Sequence, residues 1–316
     1  MAQIILIGIG AGVATALLFA SLASGSLFAL ILFYLSPLPI LIAAIGWSYW
    51  AGLIAALSAT LCLAVVFGVF FSLAFFLCIG LPAWWLGYLA LLARPVDGAT
   101  DGVEWYPAGR LVLWAAIIGA ASVVIAIPVF GTDAESFHAN LQAAIESALG
   151  LNQPGTAANR TRIAIDPDLL ATLAPPMVAS LSAVILMINL WLAARIVKVS
   201  GQLRRPWPEL AAITFPRIAP IVLGAAVAGI FLPGLLGIVS DIFAATLMIA
   251  YAFLGFAVLH VITRGINARP FVLTGIYGAV ILFGWPALIL SVLGLADTAL
   301  DLRGRAARRP GPPTLH

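Results

Sequence analysis

The chain has 316 residues, is 63% hydrophobic and 9% charged, and carries a formal net charge of +3 with a mean hydropathy of +1.15. Soluble domains hold about 25% charged residues, so the composition excludes a soluble enzyme or a nucleic-acid-binding module. Its continuously apolar segments also exclude an outer-membrane barrel, whose strands alternate apolar and polar, and leave an all-α polytopic transmembrane helical bundle.

From Met1 the first Asp, Glu, Lys or Arg is Arg94. A charge at the bilayer centre costs about 2.5–3.5 kcal/mol on insertion scales, so residues 1–93 read as one uncharged hydrophobic block. A span needs about 20 apolar residues at about 1.5 Å rise. The block then divides into spans over 4–23, 28–47, 50–69 and 73–93. The N-terminus shows no basic n-region and no small-residue cleavage site, so Met1–Ala23 is expected to be a retained span rather than a signal peptide.

On the first span Gly8, Gly12, Ala16, Ala20 and Ser24 recur every four residues. Such a small-residue stripe lets another helix approach closely. That helix belongs either to this chain or to a separate membrane subunit docking on it.

The second span contains "FYLSPLPILIA", Phe33–Ala43. Proline donates no backbone hydrogen bond and disfavours helix in the residue before it. In hydrocarbon every backbone polar group needs a partner. Pro37 and Pro39 are therefore expected to interrupt the helix near residues 36–39. The break is either a kink packed against neighbours or the edge of a cavity into which Tyr34 and Ser36 turn. Cys62 and Cys78 lie in apolar runs and read as packing thiols rather than a disulfide.

Residues 94–302 hold the remaining spans, read over 110–130, 176–198, 218–239, 242–263 and 271–295, giving eight or nine membrane segments in all. The loop 195–217 carries five cations, Arg195, Lys198, Arg204, Arg205 and Arg217, and marks the cytoplasmic side. Counting back, 131–175 lies outside, where two arginines face five acids, and the N-terminus lies inside. Phe137, Leu141, Ile145, Ala148 and Leu149 recur at helical spacing, so 134–149 reads as an outer amphipathic helix on the membrane or capping the bundle. "NQPGTAANRTR" reads as a loop. Ser240–Asp241 is expected in an outer turn. Segment 271–295, with Pro286 near its middle, either crosses or re-enters. Re-entry keeps "DLRGRAARR", Asp301–Arg309, cytoplasmic and is preferred. The basic tail 303–316 holds too little apolar material to fold.

Asn189, well inside a span, either bonds a neighbouring helix or touches a ligand. His260 reads as a satisfied interfacial residue. No nucleotide loop, metalloprotease, nucleophile-elbow or dithiol motif is present, and "GIGAG" at Gly8–Gly12 lies inside a span with no strand before it. No span has a central acid or base, which argues against an ion-coupled pump. Catalytic residues, metals and cofactors are not expected.

Four strings, "FYLSPLPILIAAIGW", "LMINLWLAARIVKVSG", "FLGFAVLHVITRG" and "LGLADTALDLRGR", in this order and spacing, resemble the YybS-like family of bacterial membrane proteins, which has no assigned biochemical activity. Leu254 stands where many members carry glutamine. The family is remotely similar to the S-components of energy-coupling-factor transporters. The resemblance implies a ligand cavity near the outer face and a first helix that docks a partner. It favours a small-molecule-binding, transport-related subunit of the bacterial inner membrane. The alternative is a scaffolding or regulatory protein whose basic loop and tail engage proteins or anionic lipid.

Overall fold

A computed structural model of the chain describes residues 1–96, 103–150, 166–209 and 212–307. Seven of its helical segments are long and apolar enough to cross a membrane: Ala2–Ser24, Leu27–Gly46, Tyr49–Phe67, Val69–Ala90, Ala108–Phe130, Pro167–Val199 and Leu235–Ile262. The loop read from "NQPGTAANRTR" and the last residues of the basic tail lie outside the described residues.

The first half of the bundle comprises α1 (Ala2–Ala20), α2 (Leu27–Tyr34), α3 (Leu38–Gly46), α4 (Tyr49–Phe67), α5 (Val69–Phe75) and α6 (Leu81–Ala90). Serines set two of the starts: Ser26 Oγ accepts from Ala29 N, and Ser48 Oγ accepts from Trp50 N. Gly68, at φ +88°, separates α4 from α5 in a conformation few other residues adopt. A π turn at Phe76–Gly80 joins α5 to α6. Ile40, Leu41, Ile45, Ala51, Ala55 and Leu86 form the main core of this half.

The only strands among the described residues form a ribbon of two three-residue strands, β1 (Ala93–Pro95) and β2 (Val103–Trp105). Arg94 pairs across it with Glu104.

The second half comprises α7 (Ala108–Val124), α8 (Ile127–Phe130), α9 (Ala134–Ala148), α10 (Pro167–Val199), α11 (Ala219–Gly229) and α12 (Leu235–Ile262). It continues with α13 (Arg269–Phe283), α14 (Pro286–Leu300) and α15 (Leu302–Ala307).

Three expectations change here. The span read over 218–239 is not one helix. Its 11-residue α11 stops at Gly229, and the chain turns through 230–234 before α12. Ser240–Asp241 is no outer turn, because α12 already runs from Leu235. Residues 303–307 are not a structureless tail. They lie in α15, where the Arg303 guanidinium is buried against Asp297 at 2.8 Å. Charge pairing, invisible to a hydropathy count, holds that segment down.

Segment 271–295 is a hairpin. Arg269 Nη2 donates to the His260 carbonyl, and the Tyr277 ring stacks on Phe256, so α13 runs back along α12. Ser291 Oγ then donates to Met248 O, and Gly294 sits against Tyr251 O, so α14 runs in the direction of α12. Gly284, at φ +72°, makes the reversal possible.

Candidate functional site

The second span is interrupted at Leu35–Pro37, between α2 and α3. Pro37 and Pro39 lack the N–H groups that the carbonyls of Phe33 and Leu35 would meet in a continuous helix. Those two carbonyls shift to tighter bonds, from Ser36 N at 3.0 Å and Leu38 N at 3.0 Å. Leu38 N would otherwise have served the Tyr34 carbonyl. That oxygen instead accepts from Asn189 Nδ2 of α10 at 2.9 Å. Asn189 also donates to Ile185 O at 2.9 Å and is buried. Its role is to satisfy the broken backbone, and it does not line the cavity described next.

Tyr34, Ser36 and Pro37 line a cavity of about 440 Å³. Pro39 does not; it occupies the first turn of α3, where a missing N–H is tolerated. The Ser36 side chain is fully buried, and its Oγ has no hydrogen-bond partner among the described residues.

Four other segments complete the walls. Cys78 and Ile79 come from the π turn, and the Cys78 Sγ lies 3.9 Å from Ser122 O. Ser122, Ala126 and Ile127 come from the place where α7 gives way to α8 ahead of Pro128. Pro175, Ser182 and Ile185 come from α10, which carries Pro175 and Pro176 inside it. Phe137 and Leu141 of α9 close one end.

The amphipathic α9 is held over the cavity by polar contacts on both sides. Asp133 and Ser136 form a reciprocal cap, with Ser136 N donating to Asp133 Oδ1 at 2.9 Å. These bonds hold the Asp133 carboxyl below the usual carboxylate range. Asn140 Nδ2 donates to Phe130 O at 2.6 Å, and His138 Nε2 lies 3.2 Å from Thr172 Oγ1 of α10. Helical spacing in the sequence indicated α9. It did not indicate the π turn or the contribution of Pro175 and Pro176 to the walls. The two prolines stand in plain view in the sequence, but nothing local links them to Ser36.

The small-residue stripe of α1 has a different fate. A Cβ on Gly8 would strike Ile54 at 2.7 Å and Ala51 O at 2.9 Å, and one on Gly12 would strike Ser58 Oγ and Ala55 O. Ala16 packs with Ala59 and Leu63, and Ala20 joins the same cluster. The stripe is therefore filled by α4 of this chain, and Gly8, Gly12 and Ala16 have no face left for a separate subunit. Ser24 is not on it: it lies exposed in a 3-10 turn, 3.3 Å from Ser26 Oγ. Cys62 and Cys78 are free thiols.

Seven span-length helices, four of which line a mostly apolar cavity, define a polytopic helical membrane protein. Residues 13–298 match the family described as "Predicted membrane protein (DUF2232)", and the chain belongs to that family. No curated protein and no solved structure matches it.

Proposed function

We propose that this chain is a membrane-embedded binding subunit that takes a neutral, largely apolar small molecule into the cavity beside Ser36. One observation carries the reading: three breaks in helix, at Leu35–Pro37, Phe76–Gly80 and Val124–Ile127, and the in-helix Pro175 of α10 converge on the same cavity. At membrane depth irregular backbone persists only where protein buries it or it lines a cavity. Transport proteins place interrupted helices at their substrate sites. The buried hydroxyl of Ser36 supplies a polar anchor, and Phe33, Phe130 and Phe137 supply apolar walls. Among the described residues no Asp, Glu, Lys, Arg or His lines the cavity, which disfavours an ionic ligand and acid–base catalysis.

The orientation follows from charge. The N-terminus and loop 195–217 face the cytoplasm of a bacterium, and α9 lies outside the inner membrane, so the cavity opens toward the outer half. The turn after α11 completes an eighth crossing. Both arms of the α13–α14 hairpin lie against α12 and reverse at Gly284, which returns the chain to the side it left. The hairpin is re-entrant and keeps the C-terminus cytoplasmic. An outer-facing cavity agrees with the resemblance to S-components, and a transport-related role follows from it. The scaffolding alternative has less support. Arg204 donates to Trp47 O and Arg205 to Ala90 O, so these two arginines turn toward the bundle rather than outward to a partner protein.

The test is mass spectrometry of small molecules extracted from the full chain purified out of native membranes. Ser182→Phe fills the cavity. A neutral compound should accompany the wild type and be lost from the variant at unchanged thermal stability. Identical extracts from both proteins would overturn the proposal.

A further inference from the structure

A second cavity, of about 590 Å³, lies between α10 and α12. The two helices run in the same direction: Ala179 shares a cluster with Ile242, and Met187 packs further along against the cluster that holds Leu247, Tyr251 and Leu254. Both walls change character in the same sense. On α10 they pass from Met187, Ile188 and Trp191 to Ala194, beyond which Arg195 and Lys198 stand over the Trp207 ring that closes the cavity; on α12 they pass from Phe253 and Phe256 to His260. The charged end is closed by the loop after α10, through Arg205, Pro206 and Trp207.

The cations there are held in place. Arg195 lies 5.9 Å and Lys198 4.7 Å from the Trp207 ring centre. Arg205 is partly buried, which pushes its guanidinium down from its usual value without bringing it near neutrality. Among the described residues it bonds only the Ala90 carbonyl, at 3.2 Å, leaving most of its five N–H donors available. Arg269 sits behind His260, on whose carbonyl it donates. Glu209 is the acid nearest in sequence among the described residues of that loop. An apolar slot with a fixed basic end matches one amphiphile best, a long acyl chain ending in a phosphate.

We propose that this crevice is a binding site for an anionic glycerophospholipid of the inner leaflet, its acyl chain between α10 and α12 and its phosphate against Arg205 and Lys198. Arg205 supplies directed hydrogen bonds and Lys198 a point charge. The site is separate from the cavity beside Ser36: one is lined at its end by Arg205 and His260, with Lys198 over the lining Trp207, and the other has no charged lining residue among the described residues.

The test uses the full chain reconstituted in vesicles of equal parts phosphatidylglycerol and phosphatidylcholine, then released in mild detergent for native mass spectrometry. Wild-type protein should retain phosphatidylglycerol over phosphatidylcholine by about tenfold, and Arg205→Gln and Lys198→Gln should each lower that ratio about fivefold. Ile188→Trp, which blocks the apolar slot, should lower retention of both lipids, whereas Ser182→Phe in the other cavity should change neither. Equal retention of the two lipids by the wild type overturns the proposal whatever the variants do, and so does an unchanged ratio in a folded Arg205→Gln protein.

Discussion

The Nδ2 of Asn189 donates to the carbonyl of Tyr34 at 2.9 Å, joining positions 155 residues apart. The bond replaces the one that Leu38 N would have made to Tyr34 O, had it not shifted to the Leu35 carbonyl left free by Pro39. Asn189→Leu keeps the volume but strands that carbonyl, and should destabilise the protein by about 1–3 kcal/mol. Ile188→Leu, one residue away and facing outward, should stay within about 0.5 kcal/mol. Unfolding of the two variants in the same detergent decides; equal stability would remove the role assigned to Asn189.

Two glycines of α1 should respond oppositely to the same change. A Cβ on Gly12 meets Ser58 Oγ and the Ala55 carbonyl, whereas one on Gly10 meets nothing within 4 Å. Gly12→Ala should destabilise by about 1–3 kcal/mol. Gly10→Ala should be neutral or stabilise by up to about 1 kcal/mol, because alanine loses less backbone entropy than glycine on entering a helix. Thermal unfolding of both variants in one detergent measures the difference.

Asp297 and Arg303 form a buried pair, with Nε donating at 2.9 Å and the Arg303 backbone N at 3.0 Å to the same carboxylate. Arg303→Met leaves that carboxylate buried without its countercharge and should destabilise by about 3–5 kcal/mol. Adding Asp297→Leu should recover most of the loss. A double variant as unstable as the single one would show that the pair is not what holds α15 in place.

The capping box of α9 carries a pH dependence. Asp133 has a folded pKa below its unfolded value of about 3.9. Its contribution is therefore present above the unfolded value and is lost as pH falls through the folded one. Hydrogen exchange over residues 134–138, corrected for the intrinsic pH dependence of exchange, should show strong protection at pH 6 and weaker protection at pH 3, and Asp133→Asn should flatten that difference. An equal acid response in the variant would assign it to another group.

Orientation is testable in a Cys62→Ala, Cys78→Ala background. A cysteine at Ala139 should react with an impermeant maleimide in intact cells, and one at Ser200 only after permeabilisation. The reverse pattern would invert the topology. A reporter fused after His316 should be active in the cytoplasm if the α13–α14 hairpin re-enters.

Composition alone made this a membrane protein, because 93 residues without a charge are compatible with lipid and little else. Proline chemistry is local, so the interruption at Leu35–Pro37 was legible in the sequence, as was the helical periodicity of α9. What Asn189 bonds, and that the stripe from Gly8 to Ala16 meets α4 rather than another subunit, depended on which helices pack together. Neither cavity could be read in one dimension. The first draws Ser36, Cys78, Ser122, Phe137 and Pro175 from five separate segments, each unremarkable in its own apolar run. Likewise Asp297 and Arg303 read as a late acid and a basic tail until the turn after α14 brings them together. Hydropathy determines which residues lie in lipid. Close packing and the pairing of freed polar groups determine which of them meet, and those are properties of the whole bundle.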